Sequence, residues 1–201
     1  MNTARRILFS LSMLALLGAH TVMAADAQFY FDRGSAYFSK GDYEKAINDY
    51  SEAISIIQKF PEAYYNRGQA YYKKGRFDEA ISDYTKVMDL MPNNAEIYNL
   101  RGLAYYMKER FSEAIEDETR AISLNPGFVA AYHNRGISYA KSGHYDEALA
   151  DYNKALSLRP DYVDAYFSRG VAYVRKATSD FKRACDSGNK YACDNLKQLS
   201  Q

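Results

Sequence analysis

Five arginines, Arg33, Arg67, Arg101, Arg135 and Arg169, stand 34 residues apart, and four aspartates, Asp49, Asp83, Asp117 and Asp151, follow the first four by sixteen residues. A guanidinium is a planar fork of donors that fits a carboxylate edge and stacks on aromatic rings. Each of these arginines has a Tyr three before it and another four after it. The pattern predicts four internal Arg–Asp bridges, a structural device and not a ligand site. Glu118 is a separate acid, standing where the corresponding positions hold Tyr50, Tyr84 and Tyr152. It is expected to bridge locally to Arg101 or Arg135, or else to face a ligand. His133 and His144 lie eleven residues apart with no nucleophile or Gly-rich phosphate loop beside them. No catalytic constellation follows, and the chain is read as a non-enzyme. No cluster of His, Cys and carboxylates has metal-ligand spacing, and no cofactor motif occurs.

These arginines recur because the chain does. Gly34, Gly68, Gly102, Gly136 and Gly170 keep the same period, as do Ala46, Ala80, Ala114 and Ala148 twelve residues after the first four glycines. A fixed period of this size marks a repeat array. Units 27–60, 61–94, 95–128 and 129–162 carry no insertion or deletion. Within each, apolar residues at helical spacing form one stripe, a break such as Lys40-Gly41-Asp42 follows, and a second stripe resumes. Pro92, Pro126 and Pro160 close three units where a helix cannot continue. Each unit is therefore a hairpin, helix A then helix B, with Gly in A and Ala in B letting the backbones approach. The midpoint of Arg33 and Asp49 falls at the turn, so the two side chains sit at one height on facing helices.

The segment AYYNRGQAYYKKGRFDEAISDYTKVMDLMP, Ala63 to Pro92, resembles the tetratricopeptide repeat. The resemblance implies an all-α fold, a right-handed superhelical α-solenoid whose A helices line a concave groove. The groove residues it implies are Phe31, Phe38, Tyr65, Asn66, Gln69, Tyr72, Asn99, Tyr106, His133, Asn134 and Phe167, an aromatic and amide surface. Asn66 and Asn134 match the Asn that some family members use to hold an extended peptide, an amide being able to donate and accept at once. The cationic clamp for acidic C-termini is missing from these positions. Departures from the family pattern include Tyr in place of Trp in every unit and Glu109 in place of a turn Gly.

The two ends differ from the repeats. Arg5 and Arg6 precede an apolar run, Ile7 to Ala19, and Val22-Met23-Ala24 offers a small-residue exit. This is the pattern of a signal peptide over residues 1–24, too short for a comfortable membrane span, which predicts a periplasmic or secreted protein with no stable membrane insertion after cleavage. At the other end, residues 163–201 form a truncated fifth unit that skips its turn. One long helix is expected near 163–186, and a short helix near 189–199 then caps the array. Cys185 and Cys193 lie eight residues apart around Gly188, facing each other across the bend. An exported chain with two Cys favours a bridge, and ACDSGNKYAC is similar to the disulfide hairpin of Sel1-like repeat proteins.

The whole chain of 201 residues carries 26 Lys plus Arg against 25 Asp plus Glu. That balance, in a chain 47% apolar and 25% charged, excludes a disordered chain and a strongly basic nucleic-acid binder. The expected function is an exported scaffold holding a peptide or protein partner in its groove. The alternative is a module binding cell-wall glycan such as peptidoglycan, since Tyr faces and Asn amides also suit sugar rings.

Overall fold

A computed structural model describes residues 23–199. The expected leader, 1–24, lies outside these residues except for Met23 and Ala24, which open the first helix. That helix, α1, covers 23–39, and the helices after it are α2 (Tyr43–Ile56), α3 (Pro61–Lys73), α4 (Phe77–Leu90), α5 (Ala95–Met107), α6 (Phe111–Leu124), α7 (Val129–Lys141), α8 (Tyr145–Leu158), α9 (Val163–Asp186) and α10 (Lys190–Leu199). No strand occurs among the described residues. They form two compact units, the first ending at Pro92 and the second beginning at Asn93.

The first unit contains the hairpins α1–α2 and α3–α4, with α2 packed on α3. The second contains α5–α6 and α7–α8, followed by α9 and α10. In it α6 packs on α7, α8 on α9, and α9 on α10. There α5 also touches α7 and α7 touches α9, and no comparable contact joins α6 to α8. The A helices therefore crowd together on the inner side of that unit.

Each hairpin turns tightly. Gly41, Gly75 and Gly143 take φ of +80°, +73° and +83° at the turn. Glu109 occupies the same place in the third hairpin with φ +58°. A side chain there costs about 1 kcal/mol.

Helix A and helix B meet at small residues. Ala46, Ala80, Ala114 and Ala148 are fully buried, as are the Tyr50, Tyr84 and Tyr152 side chains. Each of these tyrosines lies on the Gly of its own hairpin. A Cβ added at Gly136 would stand 2.7 Å from the Tyr152 ring, and one at Gly68 would stand 2.8 Å from Tyr84. In α9 nothing lies within 4 Å of the corresponding point on Gly170. Gly136→Ala is therefore expected to destabilise by about 1–2 kcal/mol, the ring having no room to yield. Gly170→Ala, at an exposed helical position, is expected to stabilise by up to about 1 kcal/mol. Urea unfolding of the two variants gives shifts of opposite sign.

The fifth unit runs as one helix through the place where its siblings turn, and ends at Ser187 and Gly188. Cys185 and Cys193 are joined in a disulfide that ties α10 to the end of α9. A loop of this size contributes about 2–3 kcal/mol on the chain-entropy account.

Candidate functional site

The Arg–Asp pairs meet in all four hairpins, always by the same two bonds. The Nε and Nη2 of Arg33, Arg67, Arg101 and Arg135 donate to the two carboxylate oxygens of Asp49, Asp83, Asp117 and Asp151, at 2.6–2.8 Å. Rings flank the guanidinium: Arg67 lies 5.5 Å from Tyr64 and 5.8 Å from Tyr71, and Arg135 lies 5.8 Å from Tyr132 and 5.9 Å from Tyr139.

The third nitrogen does something the spacing did not announce. Arg67 Nη1 donates to Ser51 Oγ of the preceding hairpin at 2.9 Å, and Arg135 Nη1 to Thr119 Oγ1 at 3.1 Å. Arg67 and Arg135 therefore each close their own hairpin and hold the one before it. The signal was present as a column of small polar residues sixteen before the arginine. Arg33 has no preceding hairpin among the described residues, and its side chain is 44% exposed against 17% for Arg67 and 18% for Arg135. Burial pushes the Asp83 and Asp117 carboxyls up, against the pull of Arg67 and Arg101.

The A-helix faces of the hairpins are less open than expected. Most of the implied groove rings are half-buried, because each leans on a neighbour. Phe31 packs on Phe60 at 5.0 Å and Tyr50 at 5.8 Å. Phe38 meets Tyr43, Tyr72 meets Phe77, and Tyr106 meets Phe111, at 5.3, 5.4 and 5.8 Å. Tyr65, Asn66, Gln69 and Asn134 are also half-buried, and only Phe167 is widely exposed, at 74%.

Two of the implied groove residues are not on the surface. Asn99 and His133 are 7% and 8% exposed. His133 is held between Ser168 Oγ, 3.0 Å from Nε2, and the Tyr162 hydroxyl, 3.2 Å from Nδ1. Burial pushes its imidazole down, toward the neutral form. Both residues sit where the next A helix crosses, so their polar atoms serve the stack and not a ligand.

Asn99 belongs to a buried polar group around Glu118. The local bridge expected of Glu118 does not form, because Arg101 and Arg135 grip their own aspartates. Glu118 is 1% exposed, beside Asn99 and Asn134. Burial raises its carboxyl to about 10, the Asp117 charge adds to this, and Arg135 and a hydrogen bond from Asn134 oppose it. With Asn134 Nδ2 donating to Asn99 Oδ1 at 2.8 Å, a protonated Glu118 can donate to that same oxygen. An ionised Glu118 needs the Asn99 amide turned so that its nitrogen donates to both carboxylate oxygens, at 3.2 and 3.0 Å. Glu is smaller than the tyrosine it replaces in the siblings. A recess of about 40 Å³ remains beside it, lined by Gly102, Leu103, Tyr106, Asn134, Ile137 and Ser138. In the first unit the Tyr50 hydroxyl donates to Ser35 Oγ at 3.2 Å, with Asn66 beside it.

A larger recess, about 250 Å³, opens beside α7 and α9. Its walls are Ile137, Ala140, Tyr152, Phe167, Val171 and Ala172, and Lys141 and Arg175 also line it. The surface can take an apolar side chain with a cation within reach. Among the described residues no group of three or more His, Cys, Asp or Glu is placed to hold a metal.

A sequence profile described as a TPR repeat matches residues 34–75, 68–109 and 138–176, and two described as a tetratricopeptide repeat match 119–150 and 95–128. The chain belongs to the tetratricopeptide repeat family. Its all-α tetratricopeptide solenoid fold is shared with solved structures. A crystal structure of the MamA protein is 29% identical, covers 87% of this chain and 90% of its own, and superposes with a TM-score of 0.72. The first tetratricopeptide domain of Spaghetti (RPAP3), solved with the HSP90 peptide SRMEEVD, is 32% identical over 56% of this chain and 90% of its own, with a TM-score of 0.55. YrrB, described as a tetratricopeptide protein with an unusual peptide-binding site, is 24% identical, covers 85% and 82%, and has a TM-score of 0.63; that likeness concerns the fold. No curated protein sequence matches the chain. Among the described residues no helix is long and apolar enough to cross a membrane.

Proposed function

We propose that this tetratricopeptide repeat chain is an exported, non-enzymatic scaffold that holds a segment of a partner protein against its A-helix faces. The observation that carries the reading is the recess of about 250 Å³ beside α7 and α9, where Phe167 is exposed and Lys141 and Arg175 stand close by. An exposed aromatic at the edge of an apolar recess is the usual chemistry of a protein-binding surface. Tyr65 and Gln69 place a half-buried aromatic and an amide on the corresponding face of α3 in the first unit. The partner segment that fits carries an apolar side chain for the recess and a carboxylate for its cations. The RPAP3 domain, solved with an acidic peptide, supports the groove reading by family likeness. Export is supported by the charged and apolar start of the chain, and by the Cys185–Cys193 bridge, which suits an oxidising compartment.

A combined Tyr65→Ala, Gln69→Ala and Phe167→Ser variant tests the reading. It leaves the ladder and the buried tyrosines alone, so its helical circular dichroism is expected to match the native chain. Recovery of partners from a periplasmic extract is expected to fall at least about tenfold, since surface aromatics of this kind dominate binding energy. Equal recovery contradicts the groove reading.

A further inference from the structure

The helix α9 packs on the preceding B helix, α8, but carries the A-helix face of a repeat that has no B helix of its own against it. In hairpins one, two and four, the Gly of helix A receives a Tyr ring at 2.7–3.0 Å from its Cβ position; at Gly170 nothing stands within 4 Å. Arg169 is seated as its siblings are. Its Nη1 donates to Asn153 Oδ1 at 2.6 Å, just as Arg67 and Arg135 hold Ser51 and Thr119. The Nε–Nη2 edge that grips an aspartate in the other four units meets no carboxylate here among the described residues. The residue sixteen further on is Cys185, in the disulfide. Around this edge Tyr166, Phe167, Val171 and Val174 are exposed, and a shallow apolar depression of about 480 Å³ runs along them past Gly170. The bridge at Cys185–Cys193 holds α10 at the far end of α9, away from this stretch.

We propose that this face of α9 docks one amphipathic helix of a partner protein, of the helix-B kind: small or aromatic residues set into the Gly170 notch, and an aspartate or glutamate presented to Arg169. Charge complementarity at Arg169 fixes the occupant's chemistry. Arg169 is pre-positioned by Asn153, and a carboxylate on a helix is what the same edge takes four times elsewhere in this chain. The chain's own B helices are already enclosed in their hairpins, so a second copy cannot supply one without opening. The site adjoins the groove recess and shares Phe167, Val171 and Arg175 with it, but Gly170 and Arg169, on which the proposal turns, play no part in the groove reading.

The probe is a synthetic peptide of residues 144–160, the native occupant of the sibling slot on α7, stapled on its outer face because a free helix of this length is marginal in water. It is titrated into the full chain labelled with ¹⁵N. Saturable shifts are expected at Gly170, Val171 and Val174. Asp151→Asn in the peptide is expected to weaken binding at least about tenfold. Gly170→Leu in the chain, which fills the notch without touching the hairpins, is expected to abolish it. Arg169→Asp in the chain is expected to lose the native peptide and to bind a peptide carrying Asp151→Arg. Absence of shifts up to millimolar peptide overturns the proposal. So does binding indifferent to Gly170→Leu and to the charge reversal, or a dimer in sedimentation that Gly170→Leu dissolves and the peptide does not displace. The capture variant alters Phe167, whereas these readouts turn on Gly170 and Arg169 with Phe167 intact, so the failure of one reading is distinguishable from the failure of the other.

Discussion

Replacing Arg67 with Met is expected to destabilise the chain by about 3 kcal/mol at neutral pH, at the lower end of the range for breaking a buried ion pair. The loss has three parts. The Asp83 carboxylate is left buried with its bidentate partner gone, the Ser51 hydroxyl loses its contact with the next hairpin, and Tyr64 and Tyr71 lose the cation between them. Met keeps most of the side-chain volume, so the cost reports the interactions and not a cavity. The pH dependence separates the first part from the rest. Asp83 already sits above the usual carboxylate range because it is buried. Without Arg67 it rises further, and the native state then keeps a proton that the unfolded chain releases near pH 4. Stability of the variant therefore falls as pH rises from about 4, and the difference from the native chain narrows in acid. Arg33→Met is expected to cost less: the Arg33 side chain is 44% exposed, so water can reach the Asp49 it leaves, and among the described residues no preceding hairpin depends on it. Urea midpoints at pH 4.5 and pH 7.5 check both statements. Equal losses at Arg33 and Arg67 contradict the ladder as described.

Glu118→Gln is expected to stabilise the protein at neutral pH, the reverse of most buried-polar substitutions. The folded carboxyl is raised from 4.5 to about 10, with burial the first cause. A group raised in this way gives its full stability below the unfolded value and loses it as pH climbs toward the folded value. Over the window from about 4.5 to about 10 the native state holds a proton that the unfolded chain does not. By pH 7 the deficit is about 3 kcal/mol at one pH unit per 1.4 kcal/mol. The glutamine amide keeps a neutral donor beside Asn99 and carries no such deficit. The two proteins should have similar stability near pH 4 and diverge steadily above pH 5, the variant being the more stable. Taking the difference between the two cancels the contributions of Asp83, Asp117 and His133. Parallel stability curves contradict a buried neutral Glu118. Glu118→Tyr, restoring the sibling residue, should stabilise as well and fill the recess beside Gly102.

The ladder was legible because period and hairpin symmetry together fix which residues share a height. Sixteen residues between Arg33 and Asp49, centred on the turn, leave no other partner at that level. The length of α9 was legible for a similar reason: Tyr166, Tyr173, Ala177, Phe181 and Ala184 keep one helical phase across the place where a turn is skipped. The groove was harder to read. Asn99 and His133 carry the residue types of a binding face, and the repeat puts them in its column. Yet α7 and α9 cross at those points and bury them. A family column says which way a side chain leaves its helix. It does not say how far the next helix advances over it. Glu118 shows the same limit. Its departure from a tyrosine column marked it as unusual, and only packing showed that both nearby arginines were already committed to their aspartates. The absent B helix against Gly170 was written in the skipped turn, but its consequence, an open notch beside a half-used Arg169, needed the neighbouring hairpins as a standard.

The most direct test of the account places a photo-crosslinking amino acid at Gln69 and at Phe167 on the A-helix faces, and at Asn48 and Ser82 on exposed positions of the B helices, in the full chain. Irradiation in cells followed by mass spectrometry is expected to give partner adducts from Gln69 and Phe167 and background from Asn48 and Ser82. Adducts from the B-helix positions with none from the A-helix faces would contradict a scaffold that docks its partners on the inner side.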